Sequence, residues 1–421
     1  MPGYYVWTIG CQMNQAESER LGGYLARRGY EAASDPVSAD LVILNSCVVR
    51  QSAENRVLGK LDALRAVKRL RPELVLALTG CLVDSNLTEL KEKFPHVDHF
   101  FRAGEVPSWL DGGGGSRLPA PARTAVTAYV PIIQGCDNFC AYCIVPYRRG
   151  REKSRPLTEV VAEVRGLVQG GTKEVILLGQ NVDSYGHDLE SGSDLSDLLS
   201  ELNAAAGLKR IRFLTNHPKD LSSRLIETVA RLDKVCRQLC LPVQAGSDPV
   251  LESMRRGYTV AQYRELVGHI RRGIPAVALS TDVIVGFPGE TPAQFRETLA
   301  LLSELKFDTV HLAAYSPRPG TIAWRELKDD VPPEEKRARL AEAEALQERI
   351  SAEINTALSG QTLEVLVTGR KKGKWYGRTP GDKLVFFRDS GSYPGELVMV
   401  RITKTSPWSL GGQLEAVIGQ E

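Results

Sequence analysis

The chain has 421 residues, enough for two or three domains at roughly 150 residues each. Hydrophobic residues make up 43% and charged residues 25%, which supports a sizeable core and excludes wholesale disorder or a collagen-like repeat. With 53 Lys and Arg against 51 Asp and Glu the formal net charge is +2, so any nucleic-acid contact must rest on a local basic patch. No apolar run approaches the ~18 residues of a membrane helix, and Met1-Pro2-Gly3-Tyr4 does not open a signal peptide. A soluble, cytoplasmic protein with no membrane partner is expected.

Residues 1 to about 110 alternate apolar runs at 4–8, 41–44 and 74–78 with helical stretches at 14–28 and 52–70. The runs have strand length, and the alternation predicts an open, doubly wound parallel α/β sheet. Asp111-Gly112-Gly113-Gly114-Gly115-Ser116, followed by Pro119 and Pro121, predicts a flexible linker that ends the first domain. From 127 to about 330 the alternation resumes, with six strand candidates at 128–133, 174–178, 210–214, 238–243, 278–285 and 308–314. Helical segments separate them, so a complete or partial parallel (β/α) barrel is the natural closure. Polar and glycine residues follow each strand, among them Gln180-Asn181, Asn216-His217, Gln244-Ala245-Gly246-Ser247 and Gly286-Phe287-Pro288-Gly289-Glu290. That is the edge where barrels build active sites. Residues 332–358 predict a polar connecting helix. Beyond Gln361, β-rich segments at 363–367, 383–387 and 397–402, separated by glycine turns, suit a small antiparallel barrel of OB-like type.

Eight cysteines are too few for a secreted disulfide scaffold and are expected as thiols unless something binds them. Cys136, Cys140 and Cys143 stand in a C-x3-C-x2-C loop directly after the first barrel strand. Three thiolates at that spacing can hold a four-iron cluster and leave one iron open to chelate a small molecule. Structural zinc, which prefers four closed ligands, and plain buried thiols are the competing readings. Cys11, Cys47 and Cys81 each sit just past the carboxyl end of a predicted strand. Parallel strands bring those ends to one sheet edge, so three thiols distant in sequence should converge on a second three-thiolate site, although each alone would be an ordinary buried cysteine. Cys236 and Cys240 form an isolated pair, read as buried thiols entering a strand. His217 and His311 are lone histidines suited to core or polar-network roles.

The loop from Cys136 to Cys143 resembles the signature of the radical S-adenosylmethionine enzymes, with Tyr142 at the aromatic position before the last cysteine. Gly10-Cys11-Gln12-Met13-Asn14, Asn45-Ser46-Cys47 and Thr79-Gly80-Cys81 resemble the N-terminal domain of that superfamily's methylthiotransferases. Gln134-Gly135-Cys136 with the run from Arg149 to Pro156 is similar to the branch acting on tRNA. So are Leu178-Gly179-Gln180-Asn181-Val182, Thr215-Asn216-His217-Pro218-Lys219-Asp220 and Gly286-Phe287-Pro288-Gly289-Glu290-Thr291. The C-terminal segment looks like a TRAM domain. Asn216 stands where Ser is usual, and Ser46 with Val48-Val49 varies the second cysteine motif, while the ligand cysteines are intact.

The resemblance implies a methylthiotransferase domain over 1–116, a radical-SAM core over 122–352 and an RNA-binding TRAM domain over 355–421. It implies two [4Fe-4S] clusters. One, on Cys136, Cys140 and Cys143, would cleave S-adenosyl-L-methionine to give a hydrogen-abstracting radical, with Tyr142 and Gln180 at the cofactor. The other, on Cys11, Cys47 and Cys81, would carry the sulfur. The reaction implied is methylthiolation of C2 of N6-(dimethylallyl)adenosine beside the tRNA anticodon; a radical is needed because no side-chain base usefully ionises an unactivated aromatic C–H. Rival substrates within the family are a threonylcarbamoyladenosine tRNA and a ribosomal protein, and the rival class is a non-catalytic zinc RNA-binding protein. An electron donor such as flavodoxin or ferredoxin and a monomeric state complete the expectation. Two basic patches predict tRNA docking: Arg148, Arg149, Arg151, Lys153 and Arg155 after the cysteine loop, and Arg370, Lys371, Lys372, Lys374 and Arg378 beside Trp375 and Tyr376. Arg148, Arg149, Lys371 and Lys372 would meet phosphate and Trp375 would stack on an unpaired base, against the alternative of solvated turns.

Overall fold

The computed structural model describes residues 1–49, 51–83, 87–111, 117–121 and 125–418. The glycine run of the expected linker, and the domain boundaries drawn at 116, 122 and 421, lie outside the described residues.

The N-terminal part is a parallel sheet of five strands, β1 (Gly3–Thr8), β2 (Glu31–Ala32), β3 (Leu41–Ser46), β4 (Val75–Gly80) and β5 (His99–Phe100), in the order β2-β1-β3-β4-β5. The central strand β3 is buried throughout, as expected of a parallel strand covered on both faces, and its sequence LVILNS is accordingly almost unbroken apolar. The helices Gln12–Arg27 and Gln51–Leu70 begin within a few residues of the ends of β1 and β3. The two-residue edge strands β2 and β5 were not expected; neither is long enough to carry a periodic signal.

The central part holds six parallel strands: β6 (Thr127–Pro131), β9 (Glu174–Leu178), β10 (Arg210–Phe213), β11 (Gln238–Cys240), β12 (Ala278–Val285) and β13 (Thr309–Ala314). They form two three-stranded sheets, β10-β9-β6 and β11-β12-β13, joined by a parallel bridge between Ile211 and Val235. Spatial order follows chain order, and buried residues of the strands pack with those of the intervening helices in one large core, which makes an open, partial barrel. A short antiparallel pair, β7 (Ile133–Gln134) with β8 (Lys153–Ser154), ties the neck of the cysteine loop. Strand residues alternate between faces. Val175 and Leu177 join the helix-packed core, while Tyr129, Ile176 and Leu214 meet Met13 and Ala16 of the helix Gln12–Arg27. The N-terminal domain therefore seats against the barrel's inner face.

The helix Pro333–Thr356 leads along β13 to a closed barrel of β14 (Thr362–Lys371), β15 (Lys374–Arg378), β16 (Leu384–Phe387), β17 (Leu397–Thr405) and β18 (Leu410–Val417), ordered β14-β15-β16-β18-β17. An antiparallel barrel was expected, and four of the five pairings are antiparallel; β16 and β18 pair in parallel, which closes the barrel. Among the described residues no helix is long and apolar enough to cross a membrane.

Candidate active site

The cysteine loop hangs on Gly135, whose φ of +83° and whose close approach to the Arg151 carbonyl leave no room for a Cβ. Its N–H donates to Oε1 of Gln180 at 2.7 Å, so Gln180, expected at the cofactor, is placed as a brace of the loop's neck. Asp137 and Glu152 exchange backbone-to-carboxylate bonds of 3.2 and 3.1 Å across the base of the loop. From the barrel, buried Arg256 donates to the Cys140 sulfur at 3.2 Å, to the Tyr142 hydroxyl at 3.4 Å and to the Pro242 carbonyl at 2.8 Å. Burial, then the charges of Glu152 and Cys140, pushes Cys136 up to about 11; burial and the neighbouring Cys140 push Cys143 up to about 12. These two thiols ionise only beside positive charge.

The second triad stands where β1, β3 and β4, adjacent in the sheet, end side by side. Asn14 and Asn45 lock two of the loops together. Asn14 Nδ2 donates to Asn45 Oδ1 at 2.9 Å and to the Ser46 carbonyl at 3.0 Å, and Asn45 Nδ2 donates to the Asn14 carbonyl at 2.9 Å. Ser46 Oγ reaches the Thr79 carbonyl at 2.6 Å, and Cys81 N–H the Ser46 carbonyl at 2.8 Å. Gly80, at φ +93°, lets that approach happen: a Cβ there would collide with the Ser46 carbonyl oxygen. The Cys11 thiol donates to Asn14 Oδ1 at 3.3 Å, and Val49 N–H meets the Cys47 sulfur at 3.5 Å. Burial, then the charges of Cys81 and Cys11, pushes Cys47 up to about 11. Cys81 is raised chiefly by burial. Each triad is thus a set of sulfurs that repel one another as anions. Among the described residues no three His, Cys, Asp or Glu side chains close around a single-ion site; a cluster spreads its sulfur ligands over several metal atoms.

Between the domains lies a cavity of about 840 Å³, lined by Cys11 and Cys47 at one end and by Thr215, Cys240, Asp282 and His311 of the barrel strands. Cys236 is buried as expected, whereas Cys240 lines this chamber. Around the strand ends several buried polar atoms have no protein partner, among them Asn181 Oδ1, Asn216 Oδ1, His217 Nε2, Gln244 Oε1 and Ser247 Oγ. Thr215 and Gln244 hold φ of 71° and 73°, strained for residues with a side chain and of a kind that clusters at functional sites. Asp183 accepts from Asn216 Nδ2 at 2.5 Å and from His217 N–H at 2.8 Å, and burial pushes its carboxyl up to about 7. Asp183 and Arg256 had no separate signal in the sequence.

The expected RNA contacts divide. Lys371 and Lys372 are exposed at the β14–β15 turn. Arg148 is half-buried beside Glu54 and Cys81. Two expectations are corrected. Arg149 has a side chain only 4% exposed and is paired with Glu17 at 2.6 Å, because a carboxylate from the other domain covers it. Trp375 is a core residue of the small barrel, edge-on to Tyr393, because the register of β15 points it inward. Arg155 is likewise buried, against Glu163 at 2.6 Å.

Residues 130–302 match the radical SAM superfamily, 3–102 the uncharacterized protein family UPF0004, and 357–414 the TRAM domain. A tRNA-2-methylthio-N(6)-dimethylallyladenosine synthase of Dehalococcoides mccartyi (strain CBDB1) is 54% identical over 418 residues, covering 99% of this chain and 100% of that protein. One of the same name from Chloroflexus aurantiacus is 50% identical, with 97% and 91% covered. Among solved structures, the radical S-adenosylmethionine methyltransferase TsrM of Kitasatospora setae aligns with a TM-score of 0.56 at 15% identity over 91% of this chain and 82% of that one, a likeness of fold. The superfamily implies one [4Fe-4S] cluster and S-adenosylmethionine. The Cys136 loop fits the first, since Cys136 and Cys143, both raised by burial, stand beside the Cys140 sulfur and call for a metal-borne positive charge. The unpartnered polar atoms at the strand ends fit a polar ligand such as the second. By sequence over nearly its whole length, the chain belongs to the tRNA-2-methylthio-N(6)-dimethylallyladenosine synthase family within the radical SAM superfamily.

Proposed function

We propose that the protein is a tRNA methylthiotransferase that places a methylthio group on C2 of N6-(dimethylallyl)adenosine beside the anticodon. Cys136, Cys140 and Cys143 hold one [4Fe-4S] cluster in this reading, and Cys11, Cys47 and Cys81 hold a second. The observation that carries it is the shared chamber: Cys11 and Cys47 line the same 840 Å³ cavity as Asp282 and His311 of the barrel. A cavity of that size accommodates a nucleoside, and a chamber common to both domains suits the joining of a sulfur held by one to a carbon activated in the other. The full-length relatives support the substrate.

When bound, the cluster and S-adenosylmethionine supply the one-electron chemistry that an aromatic C–H requires. The chain's own residues orient and enclose. Gln180 and Arg256 fix the cysteine loop, and Asn14 with Asn45 fixes the second triad. Met13 and Ala16 pack on the inner barrel face and exclude water there. Lys371 and Lys372 offer charge to the tRNA backbone. The same reading takes Tyr142 as a cofactor neighbour, Arg148 as an RNA contact, and domains over 1–116, 122–352 and 355–421. It makes the protein a cytoplasmic monomer reduced by a donor such as flavodoxin or ferredoxin.

Mass spectrometry of tRNA nucleosides from cells lacking the protein tests the assignment. The methylthiolated nucleoside should vanish and its N6-dimethylallyl precursor accumulate; an unchanged pool overturns the substrate. In the purified enzyme, Cys47→Ala should keep S-adenosylmethionine cleavage and stop methylthio transfer, and loss of both with the fold intact overturns the division of labour.

A further inference from the structure

Between the two cysteine triads lies a buried pair of charges to which the reaction gives no role. Arg149 closes the helix Val145–Arg149, which starts two residues after Cys143. Its guanidinium, 4% exposed, donates to both carboxylate oxygens of Glu17, at 2.6 and 3.3 Å, and Glu17 is itself 8% exposed. Glu17 sits on the helix that begins immediately after Cys11. The charge of the same guanidinium acts on the Cys81 and Cys11 sulfurs. A second pair repeats the pattern: Arg318, from the segment after β13, donates to Glu54 at 2.9 Å and to Gln51 at 3.2 Å, near Cys47. In both pairs the cation comes from the barrel and the carboxylate from the N-terminal domain.

The loops of the N-terminal triad supply backbone groups and neutral amides, and Arg149 is a cation whose charge acts on both the Cys47 and the Cys81 sulfurs. A buried ion pair adds little net stability, since desolvation offsets attraction, but a bidentate guanidinium–carboxylate fork fixes relative orientation. Positive charge beside a thiolate-bound centre favours its more negative, reduced state. We infer that Arg149 is a positioning residue that holds the Cys11–Cys47–Cys81 centre against the Cys136 loop and, balanced by Glu17, sets the charge that centre experiences. This rests on the two-cluster reading above.

The test uses reconstituted full-length enzyme as wild type, Arg149→Gln, Arg149→Lys and Glu17→Gln, with iron analysis and redox titration followed by electron paramagnetic resonance. Wild type should carry about eight irons, four per cluster. Arg149→Gln should move the N-terminal centre's midpoint potential to more negative values, and Arg149→Lys should restore most of it. Glu17→Gln, which leaves the cation unbalanced, should move it the opposite way. The centre on Cys136 should move less in every variant. A purely structural clamp predicts the same direction for Arg149→Gln and Glu17→Gln, since both break one pair; that result, or unmoved potentials, overturns the inference. If Arg149→Gln fails to retain iron, the sign of the Glu17→Gln shift decides. A wild type with only about four irons overturns the two-cluster reading and this inference with it, an outcome distinct from eight irons with unmoved potentials.

Discussion

Arg212 of β10 fastens the small barrel to the central one, and its removal should undock the two. Its side chain is 2% exposed. Nε donates to Glu174 Oε1 at 2.8 Å, while Nη1 and Nη2 donate to the carbonyls of Pro380 at 2.9 Å and Thr379 at 2.5 Å in the turn after β15. Arg212→Met preserves bulk but leaves the Glu174 carboxylate, 4% exposed, without its countercharge and two backbone carbonyls without donors. Breaking a buried pair from one side costs about 3–5 kcal/mol, so the ratio of docked to undocked barrel should fall by a factor of roughly 10² to 4 × 10³ at about 1.4 kcal/mol per decade. Limited proteolysis near 357–361 reads the undocking directly, and tRNA affinity should drop while S-adenosylmethionine cleavage persists. Adding Glu174→Gln neutralises the stranded charge and should recover much of the loss. Wild-type protease resistance in Arg212→Met, or no recovery in the double variant, would refute the reasoning.

Burial holds the Asp183 carboxyl at about 7, above its unfolded value near 3.9, so the native state binds more protons between those pH values and stability should fall as pH rises through them. Asp183→Asn removes that fall, because Asn216 can turn its unpartnered Oδ1 toward the new amide; a melting-temperature gain that does not grow from pH 5 to pH 8 counts against it. Trp375→Ala should destabilise the small barrel by about 3–5 kcal/mol, seen as an early calorimetric transition rather than a selective loss of RNA affinity. Lys371→Ala with Lys372→Ala should leave that transition in place, weaken tRNA binding, and make the log–log salt dependence shallower by about 1 for each phosphate no longer neutralised.

The parallel strands were legible because each is a short apolar run stopped by glycine or polar residues, and the cysteines were legible because Cys11, Cys47, Cys81 and Cys136 each stand just past a strand end and Cys140 and Cys143 follow at a regular spacing. The pattern failed where sequence dilutes it. β15, KWYGR, and β18, LGGQLEAV, carry charges and glycines that mask alternation, so the inward register of Trp375 was invisible. Arg149 failed for a different reason. A run of basic residues normally stays in water, and only Glu17, 132 positions away, makes burial tolerable. Arg256 reaches Cys140 across 116 positions, and no local signal announces such a contact.

The near-neutral total charge has the same origin as those failures. Much of the charge at the domain seams sits in pairs whose arginine is buried: Arg20 and Arg155 with Glu163, Arg149 with Glu17, Arg318 with Glu54, and Arg210 with Glu364. An apolar seam tolerates sliding and rotation, whereas a guanidinium fork on a carboxylate is satisfied in one geometry. The seam needs that property, since Cys11 and Cys47 of one domain and Asp282 and His311 of the other line one chamber. Salt separates the two uses of charge. At 0.15 M the screening length is about 8 Å, which weakens exposed Lys371 and Lys372 but hardly reaches pairs buried between domains. Raising salt should therefore release tRNA well before it loosens the domains, leaving the chamber intact in an enzyme that no longer holds its substrate.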